Sequence, residues 1–286
     1  MKFTSLLAVA AAVSAAPASF FWEERTNATA VVSRVTWTET WDTSFEIDDS
    51  CSPVEQNQLR QAFEETKLLA NHAKLHTLRN GNSSEFYTKY FGNAPIGEVV
   101  GNYEAIVSAN TTGILFRCDD PDEKCYQDGW AGYWRGANYS DETNICPLSY
   151  SSRLWLSQLC SQNFSVAYSK NSEIFAADIL HRLWHTDKLG QGVIGHYADT
   201  YDECLDLAKT NESEAVRNSA TLRLFALDVY AYDIAVPGEG CTEPLEDELL
   251  PPSLSSLSTL TSKTGSATTT NADACHTHAD GEVHCE

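Results

Sequence analysis

The stretch that decides the fold is residues 174–185, which read IFAADILHRLWH. Its apolar side chains recur at helical spacing and predict a buried helix over residues 172–185. His181 and His185 lie four residues apart on one face of this helix, where both imidazoles can reach a single metal ion. Asp178 lies one turn earlier on that face and is predicted to orient His181. Two hydrogen-bonded core histidines would give the same pattern, so a metal site needs further ligands.

A candidate third ligand follows at residues 195–199, which read GHYAD. Either His196 or Asp199 could complete a site with His181 and His185. Catalytic zinc sites use three protein ligands and leave the fourth position open. The spacing therefore predicts a Zn(II) site made of the two helical histidines and one residue of this segment.

The end of the chain carries a second group of candidate ligands. Residues 275–286 read CHTHADGEVHCE, so three of the eight histidines, His276, His278 and His284, lie in the last eleven residues. A tail beyond a flexible linker has no packing reason to hold three histidines, and we expect it to bind metal. The ligands would be imidazoles and carboxylates if the two cysteines are oxidised, with thiolates added if they are reduced.

A second HxxxH pattern occurs in residues 71–76, which read NHAKLH. It falls on a predicted helix among Asn, Lys and Arg side chains, and no third ligand is obvious in the sequence. We interpret His72 and His76 as part of a solvated helix face, with a second metal site as the alternative.

The charge balance excludes several classes of partner. The chain has 19 Lys and Arg against 40 Asp and Glu, which gives a net charge of -21. Binding to a nucleic-acid backbone or to an anionic membrane surface depends on clustered basic residues. We therefore expect neither nucleic acid nor an anionic membrane as a partner.

The first residues predict secretion. Residues 1–18 combine a basic start, an apolar run from Leu6 to Val13 and small residues beyond it, which is the pattern of a signal peptide. No later stretch of about 18 apolar residues predicts a membrane anchor. We expect an extracellular or cell-wall-associated glycoprotein. The candidate glycosylation sites are the Asn residues of six N-x-S/T sequons: Asn27, Asn82, Asn110, Asn138, Asn163 and Asn211.

Nine cysteines in a secreted chain predict disulfides and leave one cysteine over. Cys204 falls in a helix-like stretch and is the candidate for the odd thiol, through which a homo-oligomer could be linked. Cys275 and Cys285 flank one short segment and are expected to pair with each other. The sequence leaves open the pairing of the others: Cys51, Cys118, Cys125, Cys146, Cys160 and Cys241.

Periodicity predicts an α+β fold that is mostly α and is stabilised by disulfides. Strands are expected within residues 19–50, and short strands in a loop-rich region at 92–150. Helices are predicted at 53–79, 151–160, 172–185, 201–209 and 212–232. The predicted segments of the chain are a signal peptide (1–18), a core domain (19–244), a Ser/Thr-rich flexible linker (245–273) and a His/Cys metal-binding tail (274–286).

Several motifs together resemble a known family. They are residues 181–185, 196–199, 231–238 and 82–92, and the His-rich C-terminus. The chain resembles the secreted fungal pH-regulated antigens, an HRxxH peptidase-like family of zinc scavengers (zincophores) with allergen relatives. The resemblance spans nearly the whole mature chain. It implies a protein that scavenges Zn(II) for the fungal cell and acts as a surface antigen or allergen.

More distantly, the core is similar to the deuterolysin-type (aspzincin) zinc peptidases, which implies a zincin-like fold for residues 19–244. Those enzymes pair an HExxH helix with a later Asp ligand. Aligning the chain on its helical residues 207–226 places His196 at the position of that Asp. The resemblance therefore favours His196 as the third ligand, with Asp199 supporting it from outside the ligand set.

One departure from the peptidases concerns catalysis. HExxH enzymes use the Glu as general base for the attacking water, and Arg182 occupies this position. A guanidinium group cannot accept that proton, so we expect metal binding without hydrolysis and no catalytic residue. An active metalloendopeptidase is the alternative if Asp178 or Asp199 substitutes as the base.

A further alternative is an adhesin or immune-evasion protein that binds host glycoproteins and holds zinc for structural reasons. Host binding of this kind would survive loss of the tail, whereas zinc capture would lose part of its capacity. The expected partners are zinc ions, with either a cell-surface zinc transporter or host glycoproteins.

Overall fold

The structure, a computed structural model, describes residues 41–241 and two short strands near the C-terminus. The α-helices are, in chain order, α1 (Pro53–Asn80), α2 (Glu85–Phe91), α3 (Ile96–Ser108), α4 (Pro147–Ser152), α5 (Phe175–Trp184), α6 (Asp187–Gly190), α7 (Tyr201–Thr210), α8 (Glu212–Ala215) and α9 (Ser219–Tyr230). The strands are β1 (Glu46–Ile47), β2 (Leu115–Arg117), β3 (Gly132–Trp134), β4 (Glu142–Ile145), β5 (Cys275–Thr277) and β6 (Val283–Cys285). A π-helical turn, Ala231–Ala235, follows α9 directly. No helix among these residues is long and apolar enough to cross a membrane.

Helix α1 has 28 residues, and its two ends follow from the sequence. The Ser52 side chain accepts a hydrogen bond from the Glu55 N–H, and the Glu55 side chain accepts one from the Ser52 N–H. Pro53 takes the first helical position, where its missing N–H costs nothing. The helix ends at Gly81, whose φ of 49° is a conformation that glycine adopts with little strain.

The strands form a four-stranded sheet and a separate two-stranded ribbon. The sheet has the order β1-β2-β4-β3; its first three strands are parallel, and β3 is antiparallel to β4 at one edge. In the ribbon, β5 and β6 are antiparallel, with Cys275 opposite Cys285 and His276 opposite His284 in the backbone register. The sheet edge β3 lies against α5, because Gly132 packs directly on Arg182.

The hydrophobic core surrounds helix α5, every residue of which is buried. Helix α1 packs against α3, α5 and α9, and α5 also packs against α9. Tyr103 of α3 contacts Trp184 of α5 and Phe225 of α9, with ring centroids 5.9 and 6.3 Å away. These buried aromatic contacts fix the C-terminal end of α5, which carries the HRxxH motif.

Three disulfides cross-link the described core. They join Cys51 to Cys118, Cys125 to Cys146 and Cys160 to Cys241.

Cys204, the candidate odd thiol, is a buried free cysteine on α7. Burial raises the pKa of its thiol to about 12, so the thiol stays protonated and unreactive. A homo-oligomer linked through Cys204 would need that thiol to become exposed. The pairing of Cys275 with Cys285 stays a prediction, since their side chains lie outside the described part of the structure.

The mostly helical α+β architecture confirms the predicted fold class, and α1, α5 and α7 occupy predicted stretches. The helix predicted at 151–160 is wrong: α4 ends at Ser152, and only a 3₁₀ turn, Leu156–Gln158, follows. Helix α3 lies in the region predicted to be loop-rich. It was not predicted, because Gly97 and Gly101 weaken the helical signal of its sequence. The predicted segment boundaries, and strands before residue 41, fall outside the described residues.

Candidate metal centre

Three imidazoles converge at the C-terminal end of α5. The Nε2 atom of His185 lies 2.9 Å from His181 Nε2 and 3.1 Å from His196 Nε2. The ligand nitrogens of the three residues all lie within 4.8 Å of one another. His181 is buried, and His185 and His196 are half-buried. Three imidazole nitrogens this close together can hold one divalent transition-metal ion, so the residues present fit a metal.

His196 reaches the other two imidazoles because the buried side chain of Asn218 hydrogen-bonds to the backbone of the loop that carries His196. Gly195 forms a parallel β-bridge with Asn218. The Asn218 Oδ1 atom accepts hydrogen bonds from the N–H groups of Tyr197 (2.8 Å) and Ala198 (3.2 Å). Its Nδ2 atom donates to the Ala198 carbonyl at 2.8 Å. Sequence reasoning did not single out Asn218 for this role, since its only signal is its position directly before α9.

Asp199 lies behind His196 as seen from the other two imidazoles. Its Oδ1 atom is 3.0 Å from His196 Nδ1. A carboxylate on the outer nitrogen orients the ring and leaves Nε2 to face a metal. Of the two alternatives for the third ligand, the geometry thus favours His196, with Asp199 as its hydrogen-bond partner.

The guanidinium group of Arg182 is buried and forms a bidentate ion pair with Asp178. Arg182 Nε lies 3.0 Å from Asp178 Oδ2, and a terminal nitrogen lies 3.2 Å from Oδ1. Arg153 donates a further hydrogen bond to Oδ1 at 3.4 Å. The carboxylate that the sequence predicted to orient His181 thus contacts two guanidinium groups, and its role towards His181 stays a prediction.

The charge state of Asp178 follows from these contacts. Burial raises the pKa of this carboxyl group, but the positive charges of Arg153 and Arg182 lower it by more, and the pKa lies below its usual range. Asp178 is therefore an ionised carboxylate at neutral pH. It counterbalances the buried positive charge next to the three histidines.

Strand β3 covers Arg182 from the side. A Cβ atom at Gly132 would lie 2.8 Å from Arg182 Cζ and 2.6 Å from the Asn144 carbonyl oxygen, closer than real Cβ atoms approach other atoms. Glycine at residue 132 therefore lets the guanidinium group pack closely against the sheet edge. The position held by the catalytic Glu in HExxH enzymes is thus filled by an immobilised cation.

The second HxxxH pattern forms a second group, contrary to the interpretation as a solvated helix face. His76 is buried, and His72 is only 20% exposed at its side chain. Both rings contact one carboxylate oxygen, Asp233 Oδ2, at 2.9 Å from His72 and 2.8 Å from His76. The third residue, missing from the sequence interpretation, lies 157 residues after His76. No local spacing could have identified it.

The remaining predicted site residues lie at the surface or outside the described region. Asn82, Asn138 and Asn163 are exposed, Asn110 and Asn211 are half-buried, and Asn27 lies outside the described residues. The side chains of His276, His278 and His284 also lie outside it, so metal binding by the tail stays a prediction.

A family model described as HRXXH, "Putative peptidase family", matches residues 2–243. The chain belongs to this family. Its name corresponds to residues 181–185, the motif that supplies two of the three converging imidazoles.

Three curated relatives are about half identical to this chain over the aligned residues. The pH-regulated antigen PRA1 of Candida albicans is 53% identical over 206 residues, covering 72% of this chain and 69% of the relative. Antigen 1 of Emericella nidulans is 47% identical over 243 residues, which cover 84% of this chain and 88% of the relative. The major allergen Asp f 2 of Aspergillus fumigatus is 49% identical over 205 residues, which cover 70% of this chain and 66% of the relative. The relatives with these names are antigens and an allergen.

Among solved structures, a zinc peptidase from Grifola frondosa superimposes with a TM-score of 0.46 at 18% identity. The match covers 62% of this chain and 96% of that chain.

Proposed function

We propose that the protein is a secreted zinc-binding protein that captures Zn(II) and returns it to the fungal cell. The observation that carries the proposal is the convergence of three imidazoles: His185 Nε2 lies at hydrogen-bonding distance from the Nε2 atoms of both His181 and His196, and all three ligand nitrogens lie within 4.8 Å of one another. Zinc is the metal that fits best, because three imidazole ligands with a carboxylate behind one of them are typical of zinc sites.

Hydrolysis of peptides is not part of the proposal. Arg182 replaces the general base and cannot accept a proton. The two carboxylates that could substitute are both engaged, Asp178 by Arg182 and Arg153, and Asp199 by His196. Within residues 41–241, both carboxylates considered as a replacement for the general base are thus held by other side chains.

The C-terminal tail extends the zinc capacity in this proposal. His276 and His284 are register partners in the β5–β6 ribbon, and His278 follows β5 directly. Tail histidines would give an additional zinc site, from which the ion could pass to another protein. A cell-surface zinc transporter is the partner that such a transfer needs.

The proposed location and antigenic role come from the sequence and the relatives. Residues 1–18 have the pattern of a signal peptide, and the relatives are named as antigens and an allergen. A secreted, glycosylated surface protein would be exposed to a host immune system. Binding to host glycoproteins would be a separate property of that surface.

Zinc delivery tests the proposal. Zinc-starved fungal cells that lack their own copy of the protein would receive radioactive zinc bound to the full-length protein, to His185→Gln, or to a chain ending at Pro252. We expect uptake from the full-length protein, with less from both altered proteins, since each binds fewer ions. Equal uptake from all three, or none from the full-length protein, would contradict scavenging.

A peptidase assay distinguishes zinc capture from the main alternative, an active metalloendopeptidase. The zinc-loaded protein, incubated with casein, is expected to leave it intact. Cleavage that a chelator abolishes, and that His185→Gln also abolishes, would show that the site is an active peptidase despite Arg182.

A further inference from the structure

Every histidine of the chain belongs to one of three groups. Three lie around the HRxxH motif, three lie in the C-terminal tail, and the remaining two, His72 and His76, lie together on α1. In the folded core the α1 pair meets the carboxylate of Asp233 from the π-helical turn that follows α9. This group, the His72–His76–Asp233 cluster, uses elements that the HRxxH site does not.

The cluster has the dimensions of a metal site. Asp233 Oδ2 lies 2.9 Å from His72 Nε2 and 2.8 Å from His76 Nδ1. One oxygen and two imidazole nitrogens within 4.8 Å of one another form a donor set suited to a divalent transition metal. Two helical histidines at i and i+4 with a carboxylate from a distant element provide three protein ligands and an open fourth position.

The outer nitrogen of His76 is held in the way metal ligands usually are. His76 Nε2 lies 2.8 Å from Ser84 Oγ, which leaves Nδ1 to face Asp233. The edges of Phe86 and Phe225 pack against the His76 ring, with centroids 6.0 and 5.9 Å away. These contacts fix the ring before any ligand binds, which lowers the cost of ordering it on binding.

Asp233 reaches the two histidines because its backbone departs from the α-helix. It lies in the π-helical turn Ala231–Ala235, and single π-helical turns often occur at functional sites. The wider turn carries the chain past the end of α9 while keeping residue 233 next to α1. A continuous α-helix would give the residue a different direction.

The cluster opens to solvent, so an ion could enter. A surface pocket of ≈ 720 Å³ is lined by His76 and Asp233 together with Glu85, Lys89 and Tyr232. The positive charge of Lys89 is balanced by an ion pair with Asp228 at 2.7 Å. Glu85 and Asp233 add negative charge to the pocket, which favours a cation.

We propose that His72, His76 and Asp233 form a second core binding site for a divalent transition metal, with Zn(II) as the probe to test first. The site is independent of the HRxxH histidines, and its failure would leave the proposed function of that site intact. The competing explanation is a hydrogen-bond network in which Asp233 accepts from both imidazoles and no metal takes part.

The test is the number of zinc ions held by full-length protein after dialysis, measured by elemental analysis. Asp233→Asn keeps the size of the side chain, and His72→Gln removes the more exposed imidazole. Asp206→Asn, an exposed carboxyl 74% accessible on α7, is the matched control. We expect Asp233→Asn and His72→Gln each to hold one zinc fewer than the wild type and Asp206→Asn to hold the same number.

His185→Gln distinguishes this site from the HRxxH site. We expect it to lose one zinc, and the double variant His185→Gln/Asp233→Asn to lose two. If Asp233→Asn and His72→Gln both keep the wild-type number while His185→Gln loses one, the cluster is a hydrogen-bond network and the second site does not exist.

If a variant fails to fold, the second site can still be tested by a metal titration of the wild-type protein. Cobalt(II) titrated into the metal-free protein should give paramagnetic shifts in the imidazole signals of His72 and His76. Unshifted signals at cobalt saturation would overturn the proposal without any substitution.

Discussion

At the scale of single residues, Arg182 is the position at which the motif of this chain departs from the HExxH pattern. Arg182 stands where HExxH enzymes have their general base, and the structure gives it a different partner, Asp178, in a buried bidentate ion pair. Because Arg182 lies under strand β3, it is held away from solvent. Arg182 therefore has a structural role, since it joins the motif to Asp178 and to strand β3.

Replacing Arg182 tests this structural role. Arg182→Gln removes one of the cations that compensate the Asp178 charge, and breaking a buried ion pair costs about 3–5 kcal/mol. We expect a loss near the lower value, because Arg153 still contacts Asp178. Urea unfolding measures the loss, and zinc titration is expected to give the wild-type number of ions. Wild-type stability in this variant would contradict the ion pair.

The lowered pKa of Asp178 predicts a pH dependence. A carboxyl group whose pKa is lower in the folded state stabilises the fold above its unfolded pKa, about 3.9 for Asp. That stabilisation is lost as the pH falls through the folded value. The difference in unfolding free energy between wild type and Asp178→Asn should be constant from pH 7 to about pH 5 and shrink below it. A difference that grows on acidification would contradict the sign of the shift.

At the scale of elements, the site depends on how one loop is attached to a helix. The segment of residues 195–199 brings His196 to α5, and the Asn218 side chain binds three backbone groups of this segment. Asn218 is itself fully buried. Helix α5 supplies two of the three converging imidazoles, and the position of the third depends on this attachment.

The Asn218→Ala variant should therefore weaken metal binding without touching a ligand. Unsatisfied buried backbone groups cost about 1–3 kcal/mol each, and loss of support for a ligand typically lowers metal affinity about 10–100-fold. Isothermal titration with zinc measures the affinity. Ser52→Ala, which removes the cap of α1 and costs about 1 kcal/mol, is the control that should lose stability but keep zinc affinity. Equal affinities in the two variants would contradict the role of Asn218.

At the scale of the whole molecule, the disulfides hold distant segments of the chain together. Cys160 and Cys241 are separated by 81 residues, Cys51 and Cys118 by 67, and Cys125 and Cys146 by 21. Cross-links over longer loops restrict the unfolded chain more strongly. The Cys160–Cys241 link also encloses α5, the loop of His196 and α9.

The stability lost on removing each disulfide should increase with the length of the loop that the disulfide closes. We expect the double variant Cys160→Ala/Cys241→Ala to lose the most stability, within about 2–5 kcal/mol. The double variant Cys125→Ala/Cys146→Ala should lose the least. Urea unfolding of the three double variants gives the order. The reverse order would show that native-state contacts, rather than loop closure, determine the contribution of each bond.

The candidate site could be predicted from sequence where its ligands are close in the chain. Helical spacing predicted His181 and His185, and the nearby segment of residues 195–199 offered either His196 or Asp199 as the third ligand. The resemblance to the deuterolysin-type peptidases, rather than spacing, favoured His196. Asp233 could not be found in this way, since its partners on α1 are more than 150 residues earlier. The ion pair of Asp178 with Arg182 could not be assigned from sequence, because the spacing of Asp178 fits both His181 and Arg182.

The fold shows the same limit. Long periodic segments such as α1 and α5 were predicted, whereas α3, with Gly97 and Gly101 in its interior, was not. Burial of Val99, Tyr103 and Ile106 against neighbouring helices stabilises α3 despite the glycines. Tertiary packing of this kind is absent from local sequence patterns.

The central claim, that the three converging imidazoles bind zinc, is tested most directly by anomalous X-ray scattering at the zinc edge. Crystals of the full-length protein grown with zinc should show a peak between the Nε2 atoms of His181, His185 and His196, about 2.0–2.1 Å from each. The peak should disappear from that position in His185→Gln. A wild-type map with zinc at other histidines and none at this point would contradict the account.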